Sequence, residues 1–259
     1  MNTPSTGSDP APATPGNARG ETLFISDLHL SPGQPATTIL FLDFLAHRAA
    51  GARHLYILGD LFDAWIGDDD DPLPEVREAL RALTTGGTPC GLMHGNRDFL
   101  LGRRFARATG CRLLRDGHRI QLGGERVLLM HGDRLCTDDV AYQRFRRKVR
   151  NPLVQGLFLL KPLAERQRVA VDYRRRSGEA MADKADEIMD TNAEAVIRHM
   201  RRAGARRLVH GHTHRPADHE LLLDGRPAKR HVLADWHAGR GEVLVHGAAG
   251  WRREPVTGR

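Results

Sequence analysis

Seven side chains able to bind divalent cations fall into five short clusters along the 259-residue chain. Asp27 and His29 straddle Leu28. At an extended strand end, residues two apart point the same way, so this carboxylate and imidazole can chelate one ion. By itself an Asp-x-His triplet is common by chance. Asp60 follows Gly59, where a carboxylate would serve equally as a helix cap. Asn96 lies in Gly-Asn-Arg-Asp (95–98), and a lone Asn is usually a turn residue. His131 opens His-Gly-Asp (131–133), and His212 and His214 alternate in Gly-His-Thr-His (211–214). One histidine alone is most often a satisfied core or surface residue. Five such clusters in one chain are not easily independent accidents.

The elements that must position these residues are legible beside them. Each cluster ends a short apolar run: 22–26, 55–58, 91–93, 127–130 and 208–209. Runs this short, bounded by glycine and polar residues, read as buried strands. Between them, 37–50 (Ile39, Leu42, Phe44, Leu45) and 75–83 (Val76, Leu80, Leu83) carry helical spacing. Strand alternating with helix implies a layered α/β core, in which sites form outside the carboxyl ends of strands. Every polar cluster sits at such an end. Residues 232–233 and 243–245 read as closing strands.

The rhythm breaks over about 139–204, a long, basic stretch with helical spacing at Tyr142, Phe145 and Val149 and at Ile188, Val196 and Met200. Lying between two site-bearing strands, it is expected to project over the site as a helical cap. Within it, 152–163 is strongly apolar (Leu153, Val154, Leu157, Phe158, Leu159, Leu160), flanked by Arg144, Arg146, Arg147 and Arg150 and by Arg174, Arg175 and Arg176. One reading is a cap helix packed on the core. The other is an acyl-chain groove or membrane-facing patch whose arginines meet anionic lipid. The two can coexist.

Composition sets the outer limits. Hydrophobic residues at 40% and charged residues at 27% are ordinary for a globular protein. No apolar run approaches the roughly 20 residues of a spanning helix. Residues 1–20, rich in Pro, Ser, Thr, Gly and Ala, read as a disordered leader without a signal-peptide core, so the folded domain is expected over 21–259. Three cysteines without a CxxC pair argue against disulfides or a thiolate zinc site and fit a reducing cytosol. The net charge of +7 invites a nucleic-acid reading, yet only four of the 39 basic residues are lysine, a skew that coding-DNA composition often produces. Basic charge beside apolar surface suits an anionic interface or an acidic amphiphile at least as well.

The order DxH, GD, GNRD, HGD, GHTH resembles the calcineurin-like metallophosphoesterase superfamily. That resemblance implies a core of β-sheets flanked by helices. It also implies a first metal held by Asp27, His29, Asp60 and His214, and a second held by Asp60, Asn96, His131 and His212, with Asp60 bridging. Two cations roughly 3.5–4 Å apart need a shared carboxylate, and a hydroxide between them is a nucleophile at neutral pH. Oxygen and imidazole donors suit Mn²⁺, Fe²⁺, Mg²⁺ or Zn²⁺, and the resemblance favours two Mn²⁺ per chain. More narrowly, FISDLHL, GDLFDAWIGDDD, MHGNRDFL, MHGDRLCTDD, YQRFRRKVR and HGHTHRP are similar to the family of UDP-2,3-diacylglucosamine diphosphatases. That family implies hydrolysis of the pyrophosphate of UDP-2,3-diacylglucosamine to lipid X and UMP in lipid A biosynthesis. It also implies a peripheral place on the cytoplasmic face of a Gram-negative inner membrane. Substrate contacts would then come from Asn96, Arg97, Asp139, Ser177, Met181, Lys184 and His212. Met181 stands where the family usually has a small polar or amide residue.

Other readings stay beside this one. The same metal core could serve a phosphodiesterase of another nucleotide or nucleic acid, which the basic cap permits and the apolar cap stretch opposes. A metal-free binding module would be expected to lack ligands, and all seven are present. Arg97 is either a phosphate clamp that stabilises developing charge or an ordinary surface arginine. The acidic run 68–71 reads as a solvated loop near the mouth. His94 and His210 read as outer partners of the ligands, and Asp98 as a group orienting a water or a histidine.

Overall fold

Alternation within the apolar runs builds two sheets. In β1 (Thr22–Ile25), Leu23 and Ile25 enter one core cluster while Phe24 enters another. In β2 (His54–Ile57), Leu55 and Ile57 face as Leu23 does, and Tyr56 as Phe24 does. Both faces of these strands are buried, so the period-two pattern separates two cores rather than core from solvent. The computed structural model describes residues 20–182 and 190–258, with the side chains of 175–182 outside that description. All of the expected leader except Gly20 therefore lies outside the described residues.

The first sheet adds β3 (Cys90–Met93), β4 (Arg112–Leu114), β10 (Arg240–Gly247) and β11 (Gly250–Thr257), in the order β11-β10-β1-β2-β3-β4. The second comprises β5 (His118–Leu122), β6 (Glu125–Leu129), β7 (Arg207–His210), β8 (Ala217–Leu223) and β9 (Arg226–Val232), in the order β5-β6-β7-β9-β8. Strands β1, β2 and β3 run parallel, as do β6 and β7. Between the sheets lie Phe24, Tyr56, Leu58 and Met93 from one side and Val127, Leu129 and Val209 from the other.

Helices cover the outer faces. α1 (Pro35–Phe44) runs into a π turn at Leu45–Ala49, and α2 (Pro74–Thr85) and α3 (Arg103–Thr109) follow on the same side. Proline in the first turn starts α1 and α2, where its missing N–H costs nothing. Leu40, Phe41 and Phe44 face the sheet, whereas Ile39, counted on the apolar stripe from spacing, is exposed. α7 (Ala193–Ala203) is capped by Asn192 and buries Val196 and Met200 against Leu128 and Leu208 on the outer face of the second sheet. The expected 139–204 insertion therefore includes one helix that belongs to the layered core. Its other helices, α4 (Val140–Val149), α5 (Pro152–Leu159) and α6 (Leu163–Ala182), contain only one buried residue among those described, Arg166. The three cysteines are free and buried.

Candidate active site

The clusters sit just beyond the carboxyl ends of β1, β2, β3, β6 and β7, and the chain reaches them through a backbone that side chains rarely adopt. Asp27 (φ 55°), His29 (50°), Asp60 (52°), His212 (73°) and His214 (53°) are all in the left-handed region. Each such residue costs about 1–3 kcal/mol, and clustering of such strain marks functional sites. Asp27 and His29 therefore converge by left-handed turns and not, as their spacing suggested, by the alternation of an extended strand. The turn is fixed by Asp27 N–H donating to Gly59 O (3.1 Å) and His29 N–H donating to Asp60 O (3.0 Å). Two glycines permit the approach of the remaining loops. A Cβ on Gly95 would overlap the Asp60 carboxylate, and one on Gly211 would overlap that of Asp27.

All seven expected ligands are brought together. Donor atoms of Asp27, Asp60 and His131 lie within 4.8 Å of one another, as do those of Asp27, His29 and His214. Asn96 Oδ1 stands 2.9 Å from both His131 Nε2 and His212 Nδ1. Asp60 faces both groups, its Oδ2 lying 3.9 Å from His29 Nδ1 and 3.8 Å from His131 Nε2. Asp27 Oδ1 and His29 Nδ1 are buried without a hydrogen-bond partner. Buried polar atoms left unpaired are costly, and here they point at carboxylate and imidazole neighbours. Oxygen and neutral nitrogen donors converging on such atoms fit a pair of divalent cations.

Electrostatics agree. Burial pushes the Asp60 carboxyl up to about 7, with Asp98 and Asp27 adding repulsion against the pull of His131. Burial also pushes His29 down to about 3 and His212 to about 4, keeping their rings in the neutral form that ligates metals. His131 moves up to about 9, because the Asp60 and Asp27 carboxylates outweigh its burial. The Asp60 carboxyl, raised although His131 stands beside it, is the group a divalent pair would relieve.

Outer contacts orient these groups. His131 Nδ1 faces Leu58 O at 2.9 Å, turning Nε2 toward Asn96. His214 Nδ1 lies 3.5 Å from Asp235 Oδ2, a carboxylate that sequence reasoning missed because it stands in no motif. The hydrogen bonds of Asp98 go to backbone and to no histidine among the described residues. Its carboxylate accepts from Leu61 N–H (2.8 Å) and Gly95 N–H (2.7 Å), tying two ligand loops together. His94 contacts Leu101 O at 2.7 Å and His210 contacts Gly211 O at 2.8 Å, both behind the ligand loops. The acidic run is more than a solvated loop. Asp68 accepts from Gly102, Arg104 and Phe105 N–H at the start of α3, and Asp69 pairs with the buried Arg166 of α6.

Beside the cage opens a cleft of about 380 Å³. Trp65, Ile66, Phe99 and Leu100 form its core wall, and Phe145, Val149, Val154, Phe158, Val169 and Tyr173 its cap wall. Asn96 and Arg97 line it as well, and Arg97 Nε lies 4.0 Å from Asp60 Oδ2. α5 thus has two apolar faces. Val154 and Phe158 look into the cleft, while Leu153 (78% exposed), Leu157 (68%) and Leu160, just past its end (83%), look outward. Asp139 caps α4, accepting from Tyr142 N–H at 2.9 Å. Ser177 and Met181 lie on α6 where side chains are not described, and Lys184 lies outside the described residues. Asp133 of the His-Gly-Asp cluster is buried and holds Tyr142 and Arg146 of the cap at 2.9 and 2.6 Å, a role that sequence reasoning did not assign it.

The calcineurin-like phosphoesterase family profile matches residues 21–216. The UDP-2,3-diacylglucosamine hydrolase of Serratia proteamaculans (strain 568) is 55% identical over 226 residues, spanning 86% of this chain and 94% of that protein. Those of Escherichia coli O7:K1 and Shigella dysenteriae serotype 1 are each 54% identical over the same shares. Identity at this level over nearly the full length of the relatives places the chain in the UDP-2,3-diacylglucosamine hydrolase family of calcineurin-like phosphoesterases.

Proposed function

We propose that this chain hydrolyses the pyrophosphate bond of UDP-2,3-diacylglucosamine, releasing 2,3-diacylglucosamine 1-phosphate (lipid X) and UMP for lipid A biosynthesis. The observation that carries the reading is the join between cage and cleft. Among the described residues lining the cleft only Asp63, Arg97 and Arg174 are charged, and Arg97 reaches back to the Asp60 carboxylate. An amphiphile with a polyanionic head and acyl chains matches that division, and a nucleic acid, charged along its whole length, does not.

In this reading Asp27, His29, Asp60 and His214 hold one Mn²⁺, and Asp60, Asn96, His131 and His212 hold the other. Bound there, the metals would supply Lewis acidity toward phosphoryl oxygen and activate water at neutral pH. Asn96 and Arg97 hold the phosphate. Arg97 is aimed for this by its backbone N–H, which donates to Asp60 Oδ1 at 2.8 Å, and by Asp63, which accepts from its Nη1 at 2.6 Å. His212 serves both metal and substrate, and Asp139, Ser177, Met181 and Lys184 contact the head group. The apolar cleft excludes water from the acyl chains. Among the described residues no helix is long and apolar enough to cross a membrane. A peripheral seat on the cytoplasmic face of the inner membrane would use the outward leucines of α5 and their basic neighbours on an anionic surface.

The test is to incubate purified, Mn²⁺-loaded protein with UDP-2,3-diacylglucosamine and identify products by mass spectrometry. UMP and lipid X are expected, with a much higher kcat/KM than for bis(p-nitrophenyl) phosphate. Turnover of the simple diester with the lipid left intact would sink the reading.

A further inference from the structure

The buried carboxylate of Asp63 receives two guanidinium groups from opposite walls of the cleft. Arg97 comes from the loop after β3, beside the metal cage, and Arg174 comes from α6 in the cap. Among the described residues lining the cleft, one carboxylate between two guanidinium groups leaves a net positive charge of one where the apolar lining meets the cage. Low-dielectric walls strengthen the field there, so the surplus charge favours an anion. The two arginines are not equivalent. Arg97 also faces Asp60 at 4.0 Å and thus belongs to the phosphate nearest the metals. Among the described residues Arg174 has no such neighbour, and it stands on the cap side of the same carboxylate.

We propose that Arg174 is a second pyrophosphate ligand, parked on Asp63 until substrate arrives and then transferred to the phosphate farther from the metals. This rests on the reading of the substrate as a nucleotide diphosphate linked to an acylated sugar. It adds a specificity device: the cage with Arg97 serves any phosphoester, and Arg174 selects those with a second phosphate. A guanidinium exchanging one oxyanion for another keeps its charge-assisted hydrogen bonds, so the transfer costs little. Asp63 acts as a competitor for the arginine, which distinguishes this arrangement from a simple staple between cap and core.

The probe is α,β-methylene-UDP, which carries two phosphates and no acyl chain, bound to Mn²⁺-loaded protein and measured by calorimetry. Arg174→Gln is expected to raise its Kd about tenfold, the effect of one lost charge-assisted contact, and Arg174→Lys to recover part of that loss. Asp63→Asn, whose amide oxygen can still accept from Arg97 Nη1, is expected to weaken the probe less than Arg174→Gln does, since the carboxylate that competes for Arg174 is gone. In turnover, the loss caused by Arg174→Gln should be about tenfold larger for UDP-2,3-diacylglucosamine than for bis(p-nitrophenyl) phosphate. Circular dichroism and metal content establish that each variant is folded and loaded. An unchanged Kd in Arg174→Gln, or equal weakening in Arg174→Gln and Asp63→Asn, would overturn the proposal. Failure of the parent chain to cleave UDP-2,3-diacylglucosamine would instead overturn the substrate reading, while the calorimetry still decides the role of Arg174.

Discussion

At the scale of single residues, the donor types were legible and the backbone that aims them was not. Left-handed backbone is uncommon even for Asp and His, which adopt it more often than most residues, so five such conformations in one site could not be read from spacing. The neighbouring glycines were the available hint, and Gly95 and Gly211 matter by their missing side chains. Asp235 and Asp63 were invisible because an outer carboxylate needs no fixed distance in sequence from the group it orients. Two variants rank these layers. Asp235→Asn should weaken metal affinity about 10–100-fold by releasing His214, as read by metal titration. Asp60→Asn, which faces both ligand groups, should lose more than that in both metal content and turnover. Equal, small effects of the two would remove Asp60 from the centre of the cage.

At the scale of elements, the strands recovered from sequence are those buried on both faces, β1, β2, β3, β6 and β7. Those missed are β4, β5, β8 and β11, whose residues are largely half-exposed or exposed, so charged residues break the apolar run. The cap stretch was legible as apolar but not as two-faced. Phe158, on the cleft side, and Leu157, on the solvent side, should therefore separate. Phe158→Asp should raise KM for the lipid substrate about tenfold more than for a small diester, one buried side chain being worth roughly 1.5–3 kcal/mol. Leu157→Asp should lower sedimentation with anionic vesicles more than it lowers hydrolysis in detergent. The reverse pattern would exchange the two faces. β2 supplies a pH prediction. His54 stacks on Tyr56 with ring centroids 4.0 Å apart. Burial, with His118 and Arg112 nearby, pushes it down to about 4. The unfolded ring titrates near its ordinary value of about 6.5, so the unfolded state binds more protons between those values and stability rises with pH. His54→Phe keeps the stack without the proton. Urea midpoints should show the parent losing stability relative to this variant as pH falls from 7 to 5, and a constant difference would exclude the effect.

At the scale of the whole molecule, ligands come from both sheets: Asp27, His29, Asp60 and Asn96 follow strands of the first, and His131, His212 and His214 follow strands of the second. A cation pair there ties the two sheets together. Chelation should therefore lower the thermal midpoint as well as stop turnover, and Mn²⁺ at a hundred times its Kd should restore about 2.7 kcal/mol of stability. A midpoint indifferent to chelator would mean the cage does not brace the sheets. The strand order also bears on synthesis. β1 pairs on one side with β2, soon after it in the chain, and on the other with β10, which begins at Arg240. On the ribosome, the strand that leads to Asp27 thus keeps one hydrogen-bonding edge open until β10 has emerged. His214 likewise follows the whole cap in order of translation, so the full ligand set exists only once the cap has been made, and a nascent chain halted inside the cap holds an incomplete set of ligands.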